Sequence, residues 1–244
     1  MMISPEGYYE YNIKGKSIRR IKKEINELRK EIKELKNKLE NPNLINECLI
    51  RPSPSTQLWC CRLYLEKAVD ELVKRNGNYE PSEDEKRVIE FNKNIPYIAK
   101  IEYDTHGYSI DSMAHLTLEI KEDNIEITKD GDICRLPNQK EGFLRLNKEI
   151  NKEYLFKELK EMYVGEWLDE YTVSRFDPCA TVDDGTSWEL TFRYSNGNKP
   201  KIIKGHEDYP YNFSEFLELI GAKGMYGCQI CSWEEDEEDE DDEE

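Results

Sequence analysis

Cys228-Gln229-Ile230-Cys231 sets two thiols three positions apart. Two thiolates at that spacing can clasp one face of a tetrahedral zinc ion. A structural zinc site needs a second pair of ligands, and no second such motif exists. His206 is one candidate, and Cys60 and Cys61 are adjacent on an expected helix, so at most one of them could join. A thiol redox role would need a βαβ pattern ahead of the pair, which is absent. The plainer alternative is two incidental thiols in a Gly-rich C-terminal segment. Zinc at Cys228 and Cys231 therefore stands as an alternative, and otherwise no cofactor is expected.

The three histidines, His106, His115 and His206, fall in different expected elements and share no motif with a cysteine or serine. His115 lies on the polar face of an expected strand. Asp183-Asp184-Gly185 and Asp130-Gly131-Asp132 sit where hairpins need turn residues, and neither has the ligand spacing of a calcium loop. No Gly-rich phosphate loop is present, which argues against nucleotide hydrolysis and dinucleotide chemistry. These residues lead to the expectation of a protein that is not an enzyme.

The elements that must position such groups begin with the clearest periodicity in the chain. Ile18, Ile21, Ile25, Leu28, Ile32, Leu35 and Leu39 alternate three and four apart, which puts all seven on one stripe of a helix over about 16–40. Asn41-Pro42 ends it. A second helix starts after Ser53-Pro54-Ser55, a favourable cap with proline in the first turn, and carries Leu58, Cys61, Leu65, Ala68, Val69 and Leu72. Two matching stripes and a short linker predict an antiparallel helical hairpin; the rival is a homodimeric coiled coil through residues 18–39. Ser82 and Glu85 form a capping box that opens a third helix, stopped by Pro96.

The period then changes to two. Ala99, Ile101 and Tyr103 alternate with charged residues, as do Leu116, Leu118 and Ile120, and then Ile125 and Ile127. This predicts an antiparallel meander with one polar face. A helix over about 148–163 follows. Trp188, Leu190, Phe192 and Tyr194 form a further strand, Asn196-Gly197 a hairpin turn, Ile202-Ile203 the return strand, and 213–221 a last helix. The fold class expected is α+β. The domains expected are a helical hairpin or coiled coil over 1–78, an antiparallel-sheet α+β domain over 79–222, and a flexible segment with an acidic tail over 223–244.

The chain has 244 residues, 35 Lys and Arg, and 52 Asp and Glu, for a net charge of -17. Glu234–Glu244 is eleven consecutive acids. Like charges at that density repel, and the run reads either as a solubilising appendage or as a lure for a basic surface, with Trp233 ahead of it as an anchor. The acid excess disfavours direct nucleic-acid binding and anionic membranes, and leaves a protein partner, basic in character, as the expectation. No apolar run approaches a membrane span, and the start lacks the basic and apolar regions of a signal peptide. Seven cysteines at irregular spacing suit free thiols, so the location expected is the cytoplasm.

Within 159–220, Glu166-Trp167-Leu168-Asp169-Glu170-Tyr171, Asp184-Gly185-Thr186-Ser187-Trp188, Tyr194-Ser195-Asn196-Gly197, Gly205 and Tyr209-Pro210-Tyr211-Asn212-Phe213 form a connected pattern. It resembles a module of uncharacterised bacterial and mobile-element proteins: Trp-x-x-x-Tyr, an Asp-Gly-x-x-Trp hairpin, then Gly and Tyr-Pro-x-x-Phe leading into a helix. The match covers about a quarter of the chain. The resemblance carries no activity. Trp167, Tyr171, Trp188 and Tyr209 read first as core, with Trp167 and Tyr171 one helical turn apart; the alternative is an exposed aromatic pocket for a ligand or partner. The function expected is a protein-binding or regulatory role in a bacterium or mobile element, with contacts on the hairpin and the tail. The alternatives are the Cys228/Cys231 zinc domain or metal-dependent enzyme, and an acidic nucleic-acid mimic that blocks a basic protein.

Overall fold

A computed structural model describes residues 3–41, 52–107, 114–122, 124–130, 151–179 and 184–222. Cys228, Cys231, Trp233 and the acidic run lie outside the described residues, as do the turn at 131–132 and Asp183. The chain divides into two compact units, 1–82 and 83–244, four residues beyond the boundary read from the sequence.

In the first unit, α1 (Pro5–Tyr8) runs on into a short π-helix (Tyr9–Ile13), followed by α2 (Ile18–Glu40) and α3 (Pro54–Lys74). Ser17 caps α2 by accepting from the Arg20 amide, and Ser53 caps α3 by accepting from the Thr56 amide, with Pro54 in the first turn. The helices are antiparallel: the Arg75 guanidinium, just past α3, donates to the Lys16 carbonyl just before α2 at 2.6 Å. The apolar stripe is spent inside the chain. Ile21, Ile25 and Leu28 are at most 3% exposed and meet the α3 side that carries Leu58, Cys61, Ala68 and Leu72. Each such side chain contributes roughly 1.5–3 kcal/mol on burial. The stripe frays at its N-terminal end, where Ile18 is exposed. The N-terminal segment closes over α3: Tyr8 stacks on Tyr64 with ring centroids 4.0 Å apart, and Tyr9 donates to Glu71 at 3.0 Å.

The second unit is a six-stranded sheet with helices α4 (Glu83–Asn94), α5 (Lys152–Glu161) and α6 (Phe213–Ile220). Its strands are β1 (Ile98–His106), β2 (Ala114–Ile120), β3 (Ile125–Asp130), β4 (Glu170–Thr172), β5 (Ser187–Tyr194) and β6 (Lys201–His206), in spatial order β3-β2-β1-β5-β6-β4. The fold class is α+β. The sheet is mixed rather than wholly antiparallel, because β4 pairs in parallel with β6. A parallel neighbour requires a crossover, and the chain reaches β6 from β4 by way of β5.

Strict alternation decides which side is core. Ile101, Tyr103, Leu116, Leu118, Trp188, Leu190, Phe192 and Ile203 are all buried and belong to one core with Phe213, Phe216, Leu217 and Ile220 of α6. Asn196-Gly197 turns the β5–β6 hairpin, with Gly197 at φ +79°, and Gly221 ends α6 at φ +76°. The helix expected over 148–163 ends at Glu161, and Tyr163 at φ +54° starts a 3-10 turn over Val164–Glu166. Gly165 in that turn lies against α4 so closely that a Cβ would come within 2.8 Å of the Val88 Cα.

Candidate functional site

The four aromatic residues singled out from sequence are core side chains. Trp167 and Tyr171 are 1% exposed and Trp188 2%, while Tyr209 is half-buried. Trp167 and Tyr171 are not one helical turn apart: Trp167 follows the 3-10 turn, and Tyr171 is the middle residue of β4. The Trp167 indole donates to the Asn212 side-chain oxygen at 3.1 Å, and the Asn212 amide donates to the Met162 carbonyl at 2.7 Å, so the N-cap of α6 is tied to the end of α5. Trp188 stacks on Tyr209 and packs on Phe213 with centroids 4.4 Å apart. Its indole N–H donates to the Asp208 carbonyl at 3.0 Å.

Gly205 and Asp208 hold this cluster. Gly205 lies within β6, under the indole; a Cβ there would sit 2.2 Å from Trp188 Nε1. Asp208 is 5% exposed and receives the Arg175 guanidinium in two bonds, 2.6 and 3.1 Å. Arg175 also lies over the Tyr171 ring, 4.4 Å from its centroid. A buried carboxylate bonded at two points by a guanidinium that is 19% exposed is a geometry in which an ion pair is costly to break.

The other side of the sheet is polar, and here the register assembles what the sequence holds apart. Asp104 stands opposite His115 on one neighbour and Glu189 on the other; Glu189 stands opposite Lys204, and Lys204 opposite Glu170. The next row is His106, Ser187, His206 and Thr172. A cavity of about 520 Å³ is lined by both rows, with the edges of Tyr171 and Trp188 reaching it. His115 Nδ1 bonds the Asp104 carboxylate, and its Nε2 lies 2.9 Å from the Thr117 hydroxyl. Ser187 Oγ lies 2.9 Å from His206 Nδ1, and Lys204 pairs with Glu189 at 2.8 Å. Farther along the face, Glu102 meets Lys100 at 2.7 Å and Arg193. Burial alone would push the Glu102 carboxyl up, but these two cations hold it below the ordinary range.

All three histidines thus share one face, a convergence that sequence reasoning missed. Alternation signals the polar face for His106 and His115. Nothing local signals that β5 pairs with β1 and carries β6 on its other edge, which is what brings Ser187 and His206 to the row of His106. A hydroxyl beside an imidazole is the contact a nucleophile–base pair uses, and the carboxylates and lysine around it suit a polar ligand. No group of three or more His, Cys, Asp and Glu side chains among the described residues is placed to hold a metal ion.

The thiols of the first unit are of a different kind. Cys60 and Cys61 are buried, whereas Cys179 in the second unit is exposed. Burial, reinforced by Glu31, pushes the Cys61 thiol up to about 12. Such a thiol stays protonated and inert at neutral pH. Among the described residues no helix is long and apolar enough to cross a membrane. Compared with protein-family models, with curated proteins and with solved structures, the chain matches none.

Proposed function

We propose that the chain is a non-enzymatic protein-binding or regulatory protein whose contacts are presented by the helical hairpin and the acidic run at 234–244. One observation carries this reading. The hairpin buries its stripe within itself yet leaves Trp59 57% exposed and Val73 54% exposed on the outer side of α3. Fourteen residues apart on a helix, these two lie within about 40° of each other around the axis. An exposed tryptophan on a rigid helix is the side-chain type that dominates binding energy at protein interfaces. The test is affinity capture from host lysate with the full chain and with Trp59→Ala. A defined protein held by the native chain and lost at least tenfold by the variant, at unchanged helicity, supports the reading. Identical captured sets overturn it.

A second reading rests on the polar cavity. Two imidazoles, two hydroxyls and three carboxylates face a concave space of about 520 Å³, which suits a small polar ligand carrying hydrogen-bond donors. Thermal stabilisation of the native chain by a member of a metabolite panel, lost in His206→Ala, tests it; the absence of any such compound would refute it.

A further inference from the structure

Charge is divided sharply between the two units. Residues 1–82 hold 16 Lys and Arg against 12 Asp and Glu, whereas 83–244 hold 19 against 40. The excess of the first unit is concentrated on α2. At 100° per residue, Arg19, Lys22, Lys23, Asn26, Lys30, Lys33 and Asn37 fall within about 60° of one line, opposite the buried Ile21, Ile25 and Leu28. All seven are exposed. No acid falls on this ridge between Arg19 and Lys33. Glu27 and Glu34 flank it and pair sideways with Lys23 at 3.1 Å and Lys30 at 3.5 Å. Arg19, Lys22 and Lys33 have no ion-pair partner among the described residues.

Two features make this more than a solvated face. The first turn of α2 holds no acid, and cations occupy the end of the helix where the macrodipole favours anions. Helix stability alone does not select that arrangement, and an unexplained local violation points to a function. Second, Lys22 and Asn26 form one wall of a cavity of about 230 Å³, with Arg29, Tyr79 and one acid, Glu80, also lining it. Arg29 is anchored there by donating to the Glu80 carbonyl at 2.8 Å. A carboxylate entering from the ridge would meet a free ammonium and a fixed guanidinium.

We infer that the α2 ridge docks a short acidic segment of a polypeptide. Its span from Arg19 to Lys33 is about 21 Å, the length of a few helical turns. A nucleic acid fits less well. The ridge has no aromatic side chain on which bases could stack, and a net charge of -17 on the chain disfavours a long polyanion. The inference rests on the interaction reading above and names the chemistry of one partner surface.

The test is fluorescence anisotropy with a fluorescein-labelled Asp/Glu dodecapeptide. It is titrated with the full chain, with Arg19→Glu/Lys23→Glu/Lys30→Glu, and with Lys157→Glu as a control on α5. The same titrations use a chain ending at Trp233, because the eleven-acid run is itself an acidic segment and could occupy the ridge. The expected result is binding by one or both chain lengths, weakened at least tenfold by the triple reversal and not by the control. It should also fall steeply between about 50 and about 300 mM salt. No binding by either length, or equal binding by the triple variant, overturns the inference. So does tighter ridge-dependent binding of an oligothymidylate of equal charge. If the triple variant still captures the protein that Trp59→Ala loses, the interaction reading stands and the ridge assignment fails.

Discussion

Gly205→Ala should be among the most damaging single-methyl changes available to this fold. The added Cβ would lie 2.2, 2.3 and 2.5 Å from Nε1, Cε2 and Cζ2 of Trp188. Ordinary contact between such atoms is about 3.5 Å or more, so the indole must retreat by roughly 1 Å. It has little room, because Phe213 lies 4.4 Å away centroid to centroid and Tyr209 stacks alongside. Retreat also stretches the bond from the indole N–H to the Asp208 carbonyl. Overpacking of this kind costs about 1–3 kcal/mol, and a buried polar pair pulled apart about 1–3 kcal/mol more. Alanine recovers about 0.5–1 kcal/mol from its lower backbone entropy in a strand. The net expectation is a loss of about 2–4 kcal/mol. Guanidinium unfolding followed by tryptophan fluorescence and far-UV circular dichroism reads it. The decisive arm is Trp188→Phe, which removes the atoms in conflict: in that background Gly205→Ala should cost less than about 1 kcal/mol. A single variant as stable as the native chain, or an equal cost in both backgrounds, would refute the reasoning.

Three further outcomes are expected. Asp208→Ala removes the two-point bond to Arg175 and should cost the second unit about 3 kcal/mol, whereas Glu102→Gln, facing an Arg193 that is 54% exposed, should cost under about 1 kcal/mol by the same unfolding assay. Iodoacetamide at pH 8 should label Cys179 in the native protein and reach Cys60 and Cys61 only after denaturation; peptide mapping showing early label on Cys61 would contradict its raised thiol. Burial raises the Glu71 carboxyl, but hydrogen bonds from Arg75 and Tyr9 outweigh it and hold the group below its ordinary value. A depressed carboxyl contributes stability above its unfolded value that is lost as pH falls through the folded one. Glu71→Gln should therefore lower the thermal midpoint of the first unit at pH 7, with a difference that shrinks as pH drops below about 4.5.

Local period made much of this fold legible. The stripe from Ile18 to Leu39 and the caps at Ser53 and Gly221 are each set by neighbours within a few residues, and so they show in the sequence. The alternations in β1, β2 and β5 show for the same reason. What was not legible is set at a distance. Glu170-Tyr171-Thr172 is too short to display a period of two, so β4 and its parallel pairing were not foreseen, and Trp167 was placed on a helix that had already ended. Gly205 shows no local sign of its role, because its cause, the Trp188 indole across the hairpin, is a packing fact. The cavity with its two histidines, His106 and His206, depends on strand order and register, which alternation cannot supply.

The sheet's central pairing has a consequence for how the chain is made. β1 and β5 pair from Ile98 opposite Tyr194, through a one-residue register shift before Lys100, to His106 opposite Ser187, partners more than 80 residues apart. During synthesis, α2 and α3 can pair as soon as residue 74 has emerged. β1, β2 and β3 must instead wait, with one edge of β1 bare, until β5 follows. A nascent chain halted between 130 and 187 would display that edge to whatever extended strand came first, including another nascent copy. Slowing translation over that interval should therefore lower soluble yield more than slowing it over the first 82 residues.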